Sequence, residues 1–353
     1  MRQAQGGRQE LLRQVTRACI LGCAGTSLTA EEIAFFKDAR PWGFILFKRN
    51  IDSPDQVRAL TEALRATVGG TDAPVLVDQE GGRVQRLGPP HWPAWPPARA
   101  FAGVPGDGGE DAEMARLGAR LIAHDLAGVG IDVACLPVLD VPAAGGHEII
   151  GDRAYAGDPA AVARLGRAAA EGLMAGGVLP VIKHIPGHGR AGADSHLTLP
   201  VVDATLRELE TSDFAPFRAL ADMPMAMTAH VVYAAIDDGR PATTSPVVIE
   251  QVIRGLIGFD GLLISDDLSM RALSGGVTDR ARAALAAGCD VVLHCNGDMD
   301  EMREVAAGTQ PLGGRAESRA ADALLRIAGG ADVFDAEAGR ARMTAALAGR
   351  RAA

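Results

Sequence analysis

The stretch Val178-Leu-Pro-Val-Ile-Lys-His184 is an apolar run of strand length that ends in two polar residues. Seven further runs of strand length recur along the chain, and each is followed by a helix-start signal. The runs do not alternate between apolar and polar residues, which is typical of parallel strands covered on both faces. The other seven are Ala18–Ala24, Gly43–Lys48, Pro74–Asp78, Val133–Asp140, Met225–Val232, Gly261–Asp266 and Cys289–Cys295.

The segments between these runs carry recognisable helix starts. Thr29-Ala-Glu-Glu32 and Thr205-Leu-Arg-Glu208 are predicted capping boxes, in which the Thr hydroxyl and the Glu carboxylate satisfy free amides reciprocally. Ser53, Asp158 and Ser245 each precede a proline, which places a capping oxygen before a proline at the first helical position. Eight β–α units in one chain favour a closed barrel over an open doubly wound sheet.

The chain shows no sign of a division into domains. No linker separates the units, and the Pro-rich stretch Gly88–Pro105 is interpreted as an elaborated loop after the third strand. Gly22-Cys-Ala-Gly25 is too short to be a GxGxxG motif, which disfavours a dinucleotide-binding fold. The sequence therefore predicts one α/β domain over residues 1–353, a (β/α)₈ TIM barrel with extra C-terminal helices from about Arg315.

Composition limits the partners and the compartment. The net charge is −9 with no Lys/Arg block, which disfavours nucleic acid, and no segment approaches the ~20 apolar residues of a membrane span. The first residues contain no apolar signal-peptide core. The odd number of cysteines and the lack of CxxC spacing predict buried free thiols, so we expect a cytoplasmic protein. We also expect the protein to be a monomer. The cysteines are Cys19, Cys23, Cys135, Cys289 and Cys295.

Unusual polar residues stand where most of the predicted strands end, and in barrels of this kind the chemistry lies at the carboxyl ends of the strands. A single Asp at a strand end is more often a cap or a solvated residue, but a whole set that converges on one mouth predicts a functional site. The set includes Asp78, Arg86, Asp140, Arg153, Lys183, His184, His230, Asp266 and Asn296.

The segment Lys183–His196 is the most informative of these. Its prolines and glycines forbid a regular helix, so a loop is predicted. Asp194 and His196 are two residues apart, and in an extended segment such side chains point the same way. A carboxylate so placed can orient an imidazole and favour its protonated form, as a general acid requires. A loop histidine with a chance neighbour is the alternative interpretation.

The carboxylates and histidines at the mouth also permit a metal-site interpretation, because barrel hydrolases use such ligands for zinc. Lys183 would bring a positive charge beside the cation, and helical HExxH spacing is absent, so no metal and no cofactor are predicted.

In the pair Asp266-Asp267, at most one carboxylate points straight into the site. Asp267 is interpreted as the cap of the following turn, and Asp266 is then the candidate nucleophile of the pair.

Three motifs together resemble the bacterial β-N-acetylglucosaminidases of glycoside hydrolase family 3. They are Val77-Asp-Gln-Glu-Gly-Gly-Arg-Val-Gln-Arg86, Lys183-His-Ile-Pro-Gly-His-Gly189 followed by Asp194-Ser-His196, and Ile264-Ser-Asp-Asp-Leu-Ser-Met270. The likeness runs from about Gly43 to Asn296 and is greatest to the single-domain members that recycle peptidoglycan. Ile185 stands where the motif often has Phe, and no sandwich domain follows the barrel.

The resemblance implies a role for each matching residue. Asp266 would be the nucleophile, His196 the acid/base and Asp194 its partner. The residues that would bind the sugar are Asp78, Arg86, Arg153, Lys183 and His184. The implied reaction is hydrolysis of terminal β-linked GlcNAc from carbohydrate substrates such as GlcNAc-1,6-anhydro-MurNAc muropeptides, with retention of configuration. A broader β-glycosidase, an N-acetylglucosaminide phosphorylase and a metal-dependent amidohydrolase remain as alternatives.

Overall fold

The fold is that of a closed barrel of eight parallel strands, seen in a computed structural model that describes residues 16–70, 73–103, 109–143, 148–195 and 197–348. Each strand pairs with the next one along the chain, and the last pairs with the first. The predicted fold class is confirmed. The barrel strands are β1 (Arg17–Leu21), β2 (Pro41–Leu46), β3 (Val75–Val77), β4 (Val133–Ala134), β5 (Leu179–Ile185), β6 (Met225–Thr228), β7 (Leu262–Asp267) and β8 (Val291–His294).

Helices connect the strands and surround them. The helices are α1 (Ala30–Ala39), α2 (Pro54–Thr67), α3 (Glu110–Ala127), α4 (Pro159–Ala175), α5 (Leu206–Thr211), α6 (Ala215–Ala219), the π-helix Val248–Leu256, α7 (Val277–Ala287), α8 (Met299–Gly308), α9 (Gly314–Leu325) and α10 (Ala336–Ala348). Short 3₁₀ turns occupy Lys48–Asn50, Ala98–Phe101, Gly151–Arg153 and Ala242–Thr244. Two small sheets lie outside the barrel, an antiparallel pair of Gln79–Gly81 with Val84–Gln85 and a parallel pair of Val201–Val202 with Val232–Tyr233.

The predicted helix starts are confirmed. The Thr29 hydroxyl accepts a hydrogen bond from the Glu32 amide at 3.1 Å, and the Glu32 carboxylate accepts one from the Thr29 amide at 2.8 Å. Thr205 and Glu208 form the same reciprocal pair. The three side chains before prolines each accept one backbone N–H in the first turn of the next helix: Ser53 from Gln56, Asp158 from Ala161 and Ser245 from Val248.

The core has two layers, as burial of the strands on both faces requires. Side chains such as Ile20, Ile45 and Ile264 fill the barrel interior, while a larger cluster packs between the strands and the helices. Helix α9 contributes Ala320 and Ala323 to the interior cluster, so it covers one end of the barrel. All seven residues of β5 are buried, which explains the apolar sequence of its first four residues, and the buried Lys183 and His184 follow where the strand reaches the mouth.

Several strands are shorter than their apolar runs predict, and β4 and β6 differ most from the prediction. The run Val133–Asp140 forms a continuous ladder only over β4, although Val138 still makes an isolated parallel bridge to Lys183 beyond Pro137, which has no N–H to donate. The run Met225–Val232 leaves the barrel after Thr228, and Val232 then pairs with Val201 outside it.

The cysteines and the Pro-rich segment agree with expectation. All five cysteines are buried and free. The described part of the Pro-rich segment, residues 88–103, follows β3 and its hairpin and buries Trp92 and Trp95. Among the described residues, no helix is both long and apolar enough to cross a membrane.

Candidate active site

The carboxyl ends of the barrel strands surround one cavity of about 290 Å³. Its wall includes Asp78 after β3, Lys183 and His184 on β5, and Asp266 at the end of β7. Arg86 and Arg153 also line it. Six of the residues predicted to act at the mouth are therefore brought together.

A cluster of buried charges forms one side of this cavity. The Lys183 ammonium lies 2.9 Å from the Asp78 carboxylate and 2.7 Å from the Glu80 carboxylate. Arg86 donates to Asp78 at 2.9 Å, and Arg153 donates to both oxygens of Glu80 at 2.8 and 2.9 Å. Each cation is thus held in one orientation by at least one carboxylate.

These contacts keep the cluster ionised. Burial alone would raise the pKa of Asp78, but the charges of Lys183 and Arg86 hold it well below its ordinary value. Burial opposes the ionised form of Glu80 as well, and Arg153 and Lys183 lower its pKa. The two carboxylates in turn raise the pKa of Lys183, although burial acts in the opposite direction. The cavity wall therefore presents fixed charges at neutral pH.

The hairpin after β3 brings Glu80 into this cluster. Gly81 has a φ of 92°, and a Cβ at this position would collide with the Pro96 carbonyl. A glycine is therefore required where the hairpin crosses the Pro-rich loop. The sequence prediction missed Glu80 as a site residue, and the available signal was its position two residues after Asp78, on the same side of an extended segment.

Asp140 organises the histidines on and after β5. Its carboxylate is 2.7 Å from Nδ1 of His184 and accepts hydrogen bonds from the amides of His184 and His188, at 3.2 and 2.7 Å. Burial would raise the pKa of Asp140, but the charge of His184 and these hydrogen bonds lower it to about 2. Because an ionised carboxylate only accepts, Nδ1 of His184 must carry a proton, and its Nε2 is the ring nitrogen left for a ligand.

Asp266 lies at the end of β7 and lines the cavity together with its neighbour Asp267. Its Oδ1 accepts the Asp267 amide at 2.8 Å. Burial opposes ionisation, but the fields of His230 and His184, with this hydrogen bond and Lys183, hold the pKa of Asp266 below its ordinary value. The carboxylate is ionised at neutral pH, as a nucleophile must be.

Asp267 has the structural role predicted for it. Its carboxylate accepts hydrogen bonds from the Ser269 amide at 3.0 Å, the Ser269 hydroxyl at 2.5 Å and the Cys295 amide at 3.1 Å. It therefore caps the turn after β7 and ties that turn to the end of β8.

The segment predicted to carry the acid/base group is described only in part. His196 lies outside the described residues, so its predicted pairing with Asp194 stays a prediction. The Asp194 carbonyl accepts the amides of Leu197 and Thr198, at 3.0 and 3.1 Å. Ser195 lines the cavity, and its hydroxyl is 3.1 Å from Nε2 of His188. The sequence placed Asp140 at a strand end and His188 and Ser195 in the loop that follows β5, but it did not predict the contacts that these three residues make with one another.

A metal site at the mouth is the alternative interpretation that the carboxylates and histidines of the sequence permit. Among the described residues, no three or more His, Cys, Asp or Glu side chains are grouped so that they could hold a metal ion.

Known proteins share both the sequence pattern and the fold. The pattern of the Glycosyl hydrolase family 3 N terminal domain matches residues 12–328. A Beta-hexosaminidase of Alkalilimnicola ehrlichii is 43% identical over 283 residues, which cover 78% of this chain and 80% of that protein. The crystal structure of native NagZ from Neisseria gonorrhoeae is 35% identical with a TM-score of 0.81, covering 95% of this chain and 96% of that one. NagZ of the same organism in complex with N-trifluoroacetyl-D-glucosamine is 34% identical, also with a TM-score of 0.81, covering 95% and 97%.

Substitution of Glu80 tests the charge cluster. Glu80→Gln leaves Lys183 and Arg153 with one buried carboxylate fewer, so the free energy of unfolding should fall by about 3–5 kcal/mol in urea denaturation at pH 7. The matched control is Glu171→Gln, which removes an exposed carboxylate 4.0 Å from Arg167 and should cost less than about 1 kcal/mol. Equal small losses in both variants would contradict the buried cluster.

The buried His188 ring should make stability depend on pH. Burial, more than any other cause, lowers the pKa of His188 to about 4, whereas an unfolded histidine titrates near 6.5. Between these values the unfolded chain binds more protons, so stability falls as the pH is lowered through this window. Replacing His188 with Gln removes this titration. From pH 7 to pH 4.5 the wild type should lose about 2 kcal/mol more than His188→Gln in urea denaturation. Identical losses would show that His188 titrates normally in the folded state.

Proposed function

Because the chain belongs to glycosyl hydrolase family 3, we propose that it is a retaining exo-β-N-acetylglucosaminidase that removes terminal GlcNAc from cytoplasmic muropeptides such as GlcNAc-1,6-anhydro-MurNAc. One observation carries the proposal: the ionised Asp266 carboxylate lines the same cavity as the Asp78, Lys183 and His184 side chains. A nucleophile and a set of fixed polar groups for a sugar are thus found in one pocket.

The size and the chemistry of the cavity support action on a single terminal sugar. Its volume of about 290 Å³ lies near the lower end for ligand pockets, ~300 Å³. The charged cluster supplies donors and acceptors for hydroxyl groups, while Met227 and Leu293 give the pocket apolar surface. The Beta-hexosaminidase name of the Alkalilimnicola relative and the N-trifluoroacetyl-D-glucosamine bound to the Neisseria protein support a hexosamine as that sugar.

The first chemical step forms a covalent intermediate. An Asp266 oxygen attacks the anomeric carbon, the bond from this carbon to the leaving oxygen breaks, and His196 gives its proton to that oxygen. The Asp267 amide donates a hydrogen bond to Oδ1 of Asp266, whereas Oδ2 accepts none from the described residues. Oδ2 is therefore the oxygen that would attack. Asp194 would hold His196 in its protonated form before this step.

The second step returns the enzyme to its starting state. Water loses a proton to His196 and attacks the anomeric carbon, and the bond from this carbon to Asp266 breaks. Two inversions give a product with the β configuration of the substrate. One imidazole therefore serves as acid and then as base, where most retaining glycosidases use a second carboxylate.

Two other reactions use the same site and remain candidates. A broader β-glycosidase would accept the glucoside as readily as the N-acetylglucosaminide. A phosphorylase would transfer the sugar from Asp266 to phosphate instead of water. Both keep the roles of Asp266 and His196, so they differ from the proposal in substrate or acceptor alone.

Hydrolysis of p-nitrophenyl glycosides tests the proposed activity. We expect release of p-nitrophenol from the β-GlcNAc glycoside at least about tenfold faster, in kcat/KM, than from the β-glucoside, because contacts to the N-acetyl group add transition-state binding. In phosphate buffer the sugar product should be GlcNAc. Asp266→Asn is the inactive control. Faster cleavage of the glucoside would overturn the substrate assignment, and GlcNAc-1-phosphate as the main product would identify a phosphorylase.

A further inference from the structure

Ser195, which lies on the loop after β5, is hydrogen-bonded to an earlier residue of its own loop and to the loop after β7. It is 4% exposed, and its hydroxyl lies 3.1 Å from Nε2 of His188, on the loop after β5. Its carbonyl accepts the amide of Ala272 at 3.3 Å, on the loop after β7. We call these two hydrogen bonds the Ser195 brace.

The β5 side of the brace is rigidly held. The His188 amide donates to the buried Asp140 carboxylate at 2.7 Å, and the same carboxylate fixes the ring of His184. The His188 ring is buried, and its Nδ1 has no hydrogen-bond partner among the described residues. Its contact with Ser195 is therefore the ring's one polar anchor in the described structure, which makes that contact costly to lose.

The loop after β7, which carries Ala272, is also held in place by hydrogen bonds. Ala272 lies six residues after Asp266, on the turn that the Asp267 carboxylate caps. The Arg280 guanidinium donates to the carbonyls of Leu268 and Met270 on this turn, at 2.8 and 3.2 Å. Ser195 therefore connects two loops whose own positions are fixed by buried or charged groups.

We propose that Ser195 is a positioning residue of the glycosidase reaction, because its brace sets how far the segment of Asp194 and His196 stands from Asp266. The proposal rests on the proposed function. The two reacting groups of a retaining glycosidase must lie only about 5–5.5 Å apart, and a misplacement of about 1 Å can cost roughly 100-fold in rate. Ser195 follows Asp194 and precedes His196 in the chain, so a loss of its anchor acts directly on both.

The dependence of the rate on the leaving group tests this role. Ser195→Ala should lower kcat/KM for 4-methoxyphenyl β-GlcNAc, a poor leaving group, by about 10–100-fold, because it needs acid assistance. The loss for the 2,4-dinitrophenyl glycoside should stay below about 3-fold, with KM within about 2-fold, because this leaving group needs little protonation. Ser195→Thr, which keeps the hydroxyl, should restore most of the activity. Thr198→Ala removes an exposed hydroxyl of the same segment and should behave as wild type.

A second pair of variants approaches the brace from His188. Gln places an amide near the position of the histidine Nε2, whereas Asn is too short to reach Ser195. We expect His188→Asn to show the selective loss of Ser195→Ala, and His188→Gln to retain more activity. The double variant of Ser195→Ala with His188→Asn should be no worse than either single variant, since both break one contact. Equal losses for good and poor leaving groups, or additive losses in the double variant, would overturn the positioning role.

Hydrogen exchange separates this proposal from the proposed activity. In Ser195→Ala the amides of Ala272, Leu197 and Thr198 should exchange faster than in wild type, since each donates to Ser195 or to its neighbour Asp194. Unchanged exchange overturns the brace whether or not the protein is an active N-acetylglucosaminidase. Wild-type protein that cleaves neither GlcNAc glycoside overturns the proposed function, and with it the catalytic role of Ser195.

Discussion

The ion pairs of Lys183 with Asp78 and Glu80 join two strand ends that lie about a hundred residues apart in the chain. Removing such charges from water costs several kcal/mol for each ion, and the attraction between them repays this only when the geometry is good. Arg86 and Arg153 complete that geometry by holding the two carboxylates from their other sides. A cluster of this kind contributes little net stability compared with apolar packing, so we attribute its presence to the binding of a polar ligand.

The barrel makes this arrangement possible because it fixes the strand ends before any ligand arrives. Donors and acceptors that are already oriented need no reorganisation when a substrate binds, and this is the main way in which polar sites lower a barrier. The cations near Asp266 also oppose the effect of burial on its pKa, so the proposed nucleophile remains charged. His188, whose pKa is lowered mainly by burial and whose amide donates to Asp140, is neutral instead. Neighbouring groups thus receive different charge states from their surroundings.

Much of this fold can be predicted from the sequence. The unbroken apolar runs predict the eight strands because both faces of a barrel strand are buried, and the capping boxes at Thr29 and Thr205 predict helix starts because they satisfy local amides. Local patterns do not reveal contacts made across the mouth. Glu80, Asp140 and Ser195 each have a hydrogen-bond partner in another loop, so their roles became visible only in three dimensions. The early end of β4 can be predicted only in part. Pro137 shows in the sequence that one backbone N–H is missing from this run, but it does not show where the ladder stops.

The most direct measurement is mass spectrometry of the protein after reaction with a 5-fluoro derivative of an activated β-GlcNAc donor, which slows breakdown of a glycosyl-enzyme intermediate. We expect one sugar adduct per chain, located by peptide mapping on Asp266 and absent from Asp266→Ala. A stable adduct on another carboxylate, or turnover of the donor with no adduct at any time, would contradict the assignment of Asp266 as the nucleophile.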